Sequence, residues 1–122
     1  MIHPTGATRV FLVCGVTDMR MGFNGLYAIV EHQLRQDPMS GHLFAFCNRK
    51  KNRLKVLGWD GTGLWICAKR LEKGRFSWPE DKDGCNALSN ASWSMLLGGL
   101  EYSGVRLKKW YRKMPHGKEI IE

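Results

Sequence analysis

Residues 48–76 read NRKKNRLKVLGWDGTGLWICAKRLEKGRF, and this stretch decides the fold class. Two runs within it, Arg53–Trp59 and Leu64–Arg70, carry the apolar, β-branched and aromatic residues of strands. Between them stands Asp60-Gly61, a pair that suits a type I′ hairpin turn, in which both central residues need positive φ. In the first run a period of two places Leu54 and Val56 on one face and Arg53, Lys55 and Leu57 on the other, so one face is core and the other is at least partly charged. The NRKKN loop closes a hairpin on the upstream side and Lys73-Gly74 closes one downstream.

Working outward, residues 42–47 (HLFAFC) and 75–78 (RFSW) read as further strands, and short connections favour an antiparallel meander. Residues 9–14 (RVFLVC) form an apolar run typical of a buried strand. A helix follows, with Thr17 and Asp18 as candidate caps and Phe23, Leu26, Tyr27, Val30 and Leu34 on one stripe; Asp37 before Pro38 stops it. After Pro79 an acidic stretch leads to Ser89 or Asn90, either of which can cap a second helix whose apolar face is Trp93, Leu96, Leu97 and Leu100. The expected architecture is α+β: a single antiparallel meander of about five strands, one helix after the first strand and one C-terminal helix.

A chain of 122 residues with 43% hydrophobic and 11% aromatic content suits a single folded domain over 1–122 and excludes a disordered one. Residues 1–7 read as a lead-in and 103–122 as a basic, loosely ordered tail. No apolar run reaches the length of a membrane span and no signal peptide is evident, which points to a soluble, cytoplasmic protein without a membrane partner. The cysteines Cys14, Cys47, Cys67 and Cys85 lack paired metal-ligand spacing, and His3, His32, His42 and His116 are scattered, so neither a metal nor a cofactor is expected.

Nineteen Lys and Arg against eleven Asp and Glu leave a net charge of +8, which favours polyanions. The quoted stretch alone holds nine of the cations, Arg49, Lys50, Lys51, Arg53, Lys55, Lys69, Arg70, Lys73 and Arg75, against two acids. These are the candidate phosphate contacts. The group from Lys69 to Arg75 is expected at the opposite end of the hairpin from the Arg49–Lys51 tip, with strand register deciding whether the two join into one stripe. The plainer alternative is that the charge only keeps edge strands from pairing with other chains. A second cationic set, Arg106, Lys108, Lys109, Arg112 and Lys113, interleaves Trp110 and Tyr111, and with Trp65 these rings are candidate anchors for a protein partner.

A catalytic alternative is a metal-dependent nuclease built on Asp60 and the Glu80-Asp81-Lys82 run, with two carboxylates holding Mg²⁺. Asp60 is explained equally well by the turn, and Pro79 turns Glu80 and Lys82 away from a strand. A transposase-type triad of Asp18, Asp60 and Glu72 is set aside because a small strand meander lacks the βαβ length which that catalytic fold needs. No catalytic residue is assigned.

Three segments taken together, GVTDMRMGFNGL at 15–26, DPMSGHLFAF at 37–46 and KVLGWDGTGLWICAKRLEKGRFSWP at 55–79, resemble the TnpB accessory proteins of the insertion-sequence-66 family of bacterial transposable elements. The resemblance spans about residues 8–100 and rests most on the KRLE-x-GRF-x-WP run. It implies a product without known catalytic residues of its own that assists a separate, larger transposase. What the helper touches stays open between two readings: DNA phosphates, at transposon ends or in a transposase complex, and the transposase or another element-encoded protein. Family-like positions are Asp18, Arg20, Gly22, Asp60, Gly61, Lys69, Arg70, Glu72, Gly74, Arg75 and Phe76.

Overall fold

The computed structural model describes residues 8–80 and 85–98. The lead-in, Asp81, Lys82, Leu100 and the basic segment with Trp110 and Tyr111 lie outside that range. Along the chain run β1 (Val10–Val13), α1 (Phe23–His32), β2 (Leu43–Cys47), β3 (Arg53–Trp59), β4 (Leu64–Arg70), β5 (Cys85–Leu88) and α2 (Asn90–Leu97). The strands form one sheet in the order β4-β3-β2-β1-β5.

The class is α+β, but the sheet is mixed rather than an antiparallel meander. β2, β3 and β4 do meander, with Cys47 opposite Leu54 and Arg53 opposite Arg70. β1, in contrast, pairs parallel to β2, Val10 beside Leu43, because α1 carries the chain back across the sheet between them. A βαβ unit, β1–α1–β2, is therefore present. The fifth strand is also corrected. Residues 75–78 join no ladder; Phe76 N–H donates to the Lys51 carbonyl (2.7 Å) and Gly15 N–H to the Pro79 carbonyl (3.1 Å), so the segment straps the end of the sheet. Phe76 and Trp78 still point inward at a spacing of two, which is why the run reads as a strand. The strap takes the chain past β1, and β5 then pairs antiparallel to it, Val10 opposite Leu88.

Both faces of the sheet are covered. Leu26, Val30 and Leu34 from the α1 region pack on Val13, Phe44, Phe46 and Leu57. On the other face Trp93 and Leu96 of α2, with Leu71 after β4 and Phe76 and Trp78 of the strap, cover Val10, Leu12, Leu43, Ala45, Leu54 and Val56. All five residues of β2 are buried, as its central position requires.

The helix termini differ from expectation in one case and agree in the other. Gly22, not Thr17 or Asp18, precedes the first turn of α1 and makes no side-chain cap. The helix ends at His32, before Asp37-Pro38, because Arg35 turns left-handed (φ 54°) and Gln36 N–H closes back on the Val30 carbonyl at 3.2 Å. Phe23, expected on the buried stripe, is 48% exposed. In α2, Ser89 is the cap and accepts Ser92 N–H at 3.1 Å.

Candidate nucleic-acid interface

The parallel pairing of β1 with β2 brings the carboxyl ends of both strands to one end of the sheet, where β3 begins and β4 finishes. Arg53 is the register partner of Arg70 and Leu54 of Lys69. The group from Lys69 to Arg75 therefore lies at the same end as the Arg49–Lys51 tip, not the opposite one, since β4 returns to the level at which β3 started. Leu71 N–H on the Asn52 carbonyl (2.8 Å) and the strap bond from Phe76 tie the two segments together.

The tip is built by its two asparagines. Asn48 Oδ1 accepts the N–H groups of Asn52 and Arg53, each at 3.0 Å, and Asn48 Nδ2 donates to Asn52 Oδ1 at 2.8 Å. Lys51 N–H closes a turn on the Asn48 carbonyl at 3.2 Å, leaving Arg49 and Lys50 at its exposed corners. Lys51 sits at φ 59°, a left-handed conformation that costs a non-glycine residue about 1 kcal/mol. Its carbonyl holds Phe76 and its ammonium pairs with Glu80, so this cation serves the strap. That pairing holds the Glu80 carboxyl below its ordinary value, the Lys51 hydrogen bond being the first cause.

The nine candidate cations divide by their neighbours. Arg49, Lys50, Arg53, Lys73 and Arg75 are exposed and make no ion pair or hydrogen bond through their side chains among the described residues. Arg70 pairs with Glu72, its Nε at 3.1 Å and its terminal nitrogen at 3.0 Å. Lys55 donates to the Met21 carbonyl at 2.9 Å. Lys69 lies on the α2 face and donates to the carbonyl of Leu97, the last residue of α2, at 2.7 Å. Although Lys69 as a residue is exposed, desolvation at its ammonium lowers its pKa. A cation there complements the negative end of the helix dipole.

Like charges directly across a sheet repel, and the Arg53–Arg70 pair places two of them at the closer, non-hydrogen-bonded kind of position. Between these strands and the β1–α1 loop opens a groove of about 420 Å³, lined by Met19, Arg53, Lys55, Ala68, Arg70 and Glu72 among others. On the loop side Asp18 and Arg20 form a two-pronged pair at 2.7–3.1 Å, with the Arg20 side chain 91% exposed. The hydrogen bonds from Arg20 hold the Asp18 carboxyl down at about 2. Val16 and Met21 of this loop, with Phe23 at the start of α1, add exposed apolar surface. Arg20 and these apolar residues were absent from the candidate set, because only the parallel β1–β2 pairing brings the loop to the basic end.

Asp60 lies at the far end of β3. One oxygen accepts Thr62 N–H (2.9 Å), Gly63 N–H (2.9 Å) and the Thr62 hydroxyl (3.0 Å); the other accepts the Trp65 indole N–H. These donors, the indole first, hold its carboxyl well below the ordinary carboxylate value. Seven residues of β3, about 20 Å of extended chain, separate it from the end where Glu80 meets Lys51. The two carboxylates of the nuclease arrangement thus stand too far apart to share an ion, and Asp81 and Lys82 fall outside the described residues. Among the described residues no three His, Cys, Asp or Glu side chains gather as metal ligands. Cys47 is buried, and desolvation pushes its thiol up to about 12, out of the range of a nucleophile at neutral pH. No helix among the described residues is long and apolar enough to cross a membrane.

Comparison with known proteins gives a consistent picture. The family described as "IS66 Orf2 like protein" matches residues 8–107. Two proteins of Sinorhizobium fredii are similar over most of their length: uncharacterized protein y4jC is 37% identical over 108 residues, 88% of this chain and 92% of its own, and uncharacterized protein y4hO is 42% identical over 100 residues, 81% and 87% respectively. No solved structure gives a significant match.

Proposed function

The chain belongs to the IS66 Orf2-like family, and we propose that it acts as a non-catalytic accessory protein of insertion-sequence transposition that grips DNA phosphates with the basic end of its sheet. The observation that carries this reading is the direct opposition of Arg53 and Arg70 beside the cations Arg49, Lys50, Lys73 and Arg75, which make no side-chain ion pair among the described residues. Packing does not require that opposition, since all six of these side chains are exposed and none belongs to either core cluster. Glu72 already pairs with Arg70, and a polyanion running across the end of the sheet would neutralise the remaining cations and be held by separate segments at once. Contacts of this kind position a protein on a duplex without reading its sequence.

The test is a fluorescence-anisotropy titration of a labelled duplex with the full chain and with the double variant Arg49→Glu, Lys50→Glu. Salt-sensitive binding that collapses in the variant is the expected outcome. Equal affinities for the two proteins would refute the phosphate grip. A second reading, docking on the transposase or another element-encoded protein, draws on Trp65, which is 52% exposed while its indole N–H is satisfied by Asp60. Saturable capture of the transposase by the full chain, lost in Trp65→Ala, would favour it.

A further inference from the structure

The same Trp65 stands on a strand with one open side. β4 ends the sheet, and among the described residues nothing hydrogen-bonds to its outer edge. Asp60 N–H on the Gly63 carbonyl and Leu71 N–H on the Asn52 carbonyl set the alternation of the β3–β4 ladder. Trp65, Cys67 and Lys69 turn their backbone groups inward to β3, whereas Leu64, Ile66, Ala68 and Arg70 turn theirs outward. None of the seven residues of β4 is buried. An edge of this length, in unbroken register with β3 and without proline, is a template for another strand.

We infer that the outer edge of β4 binds the β4 of a second copy of this chain, antiparallel about a two-fold axis through Cys67, to make one continuous sheet across a homodimer. Several features select this occupant and this register. Antiparallel pairing centred on Cys67 matches every outward donor and acceptor, Leu64 with Arg70 and Ile66 with Ala68 in both directions, giving about eight hydrogen bonds. It sets the cationic end of each strand, Lys69 and Arg70, against the apolar end of the other, Leu64 and Trp65. Sliding the register toward the carboxyl end would bring Lys69 and Arg70 of the two copies together and is opposed by repulsion. The half-exposed Trp65 indole gains the stem of the second copy's Lys69 as a neighbour on the same face. The basic ends of the two subunits then project from opposite sides of the joined sheet, far enough apart to limit their mutual repulsion.

The geometry also supplies a reporter. At the two-fold axis Cys67 faces its own copy at a non-hydrogen-bonded position, where Cα atoms approach to about 4.5 Å, within the span of a disulfide. The experiment uses the full reduced chain. Light scattering gives the mass in solution, and a brief treatment with copper–phenanthroline, which takes the two electrons as the two thiolates join, traps the pair. The expected result is a mass twice that of the chain and a cross-linked dimer that survives Cys14→Ser and disappears in Cys67→Ser. Ala68→Pro removes an outward N–H without touching the β3 ladder and should give a folded monomer. Should that variant fail to fold, the Cys67 cross-link in the parent protein decides. A monomer at the highest soluble concentration would overturn the inference, as would a dimer whose cross-link bypasses Cys67. So would a monomer whose outward β4 amides resist hydrogen exchange, since the edge would then be covered by the chain itself.

Discussion

Neutralising the tip of the β2–β3 turn should change the salt dependence of DNA binding by an amount the structure fixes in advance. Among the described residues Arg49, Lys50, Arg53, Lys73 and Arg75 are the cations at the basic end whose side chains make no ion pair, so a phosphate track over them displaces about five counterions. A plot of log affinity against log salt should then fall with a slope of about −4.5, which is about a 500-fold loss between 50 and 200 mM. The double variant Arg49→Gln, Lys50→Gln removes two contacts, flattening the slope to about −2.7 and the loss over the same range to about 40-fold. Neither side chain packs on the core, so thermal stability should be unchanged. Anisotropy with one labelled duplex at several salt concentrations measures both slopes, and circular dichroism confirms the fold. Lys69→Met is the internal control: its ammonium already belongs to the Leu97 carbonyl, so the slope should stay at the parent value. Equal slopes in the parent and the double variant, or a flattened slope in Lys69→Met, would refute this assignment of the contacts.

Other outcomes follow from individual contacts. Lys69 has a folded pKa below the ordinary lysine value of 10.5 because its ammonium is desolvated. As pH rises toward 10.5 the folded state gives up its proton before the unfolded one, so the parent should gain stability relative to Lys69→Met on alkaline titration; a constant difference in urea midpoints would contradict this. Asp18, held at about 2, works in the opposite sense: its contribution is complete above the ordinary carboxylate value and is lost as pH falls through about 2. Asp18→Asn should therefore unfold with a shallower dependence on pH between about 4 and 2, and parallel acid titrations would argue against it. Trp78→Phe keeps most of the buried ring but removes the indole bond to the Val13 carbonyl (2.8 Å) that fastens the strap to β1. A loss of about 1–2 kcal/mol in urea denaturation is expected, and a neutral result would mean the strap is held by apolar packing alone.

The elements legible in the sequence were those whose signals are local. β3 and β4 have the bounds that their alternation predicts, and Ser89 caps α2 as a serine before a helical run should. The turn between them is corrected in its type: Gly61 takes a positive φ (100°) but Asp60 does not, so the pair does not form a type I′ turn, and Asp60 N–H instead bonds the Gly63 carbonyl. Reading 75–78 as a strand failed because alternation reports only which side chains face the core. Phe76 and Trp78 satisfy that pattern while the backbone between them bonds to a turn and a loop. β5, only four residues long and bracketed by an acidic stretch and a helix cap, carries too little pattern to be distinguished from a loop. At the candidate interface, residue types and charge excess were readable, but the commitments of Lys51 to Glu80, Lys55 to Met21 and Lys69 to Leu97 were not. Each joins residues far apart in the chain.

By itself the sequence determined an α+β protein with a β2–β3–β4 meander, a net charge of +8 and a stretch crowded with cations, because propensity, turn chemistry and charge belong to neighbouring residues. Only the tertiary structure decided that β1 lies parallel beside β2, and hence that the β1–α1 loop comes to the basic end. Register alone set Arg53 against Arg70, put Lys69 on the opposite face, and left β4 rather than a covered strand at the edge. Strand order and register arise from pairing between distant segments that must bury both faces of one sheet, and no window of adjacent residues contains that constraint.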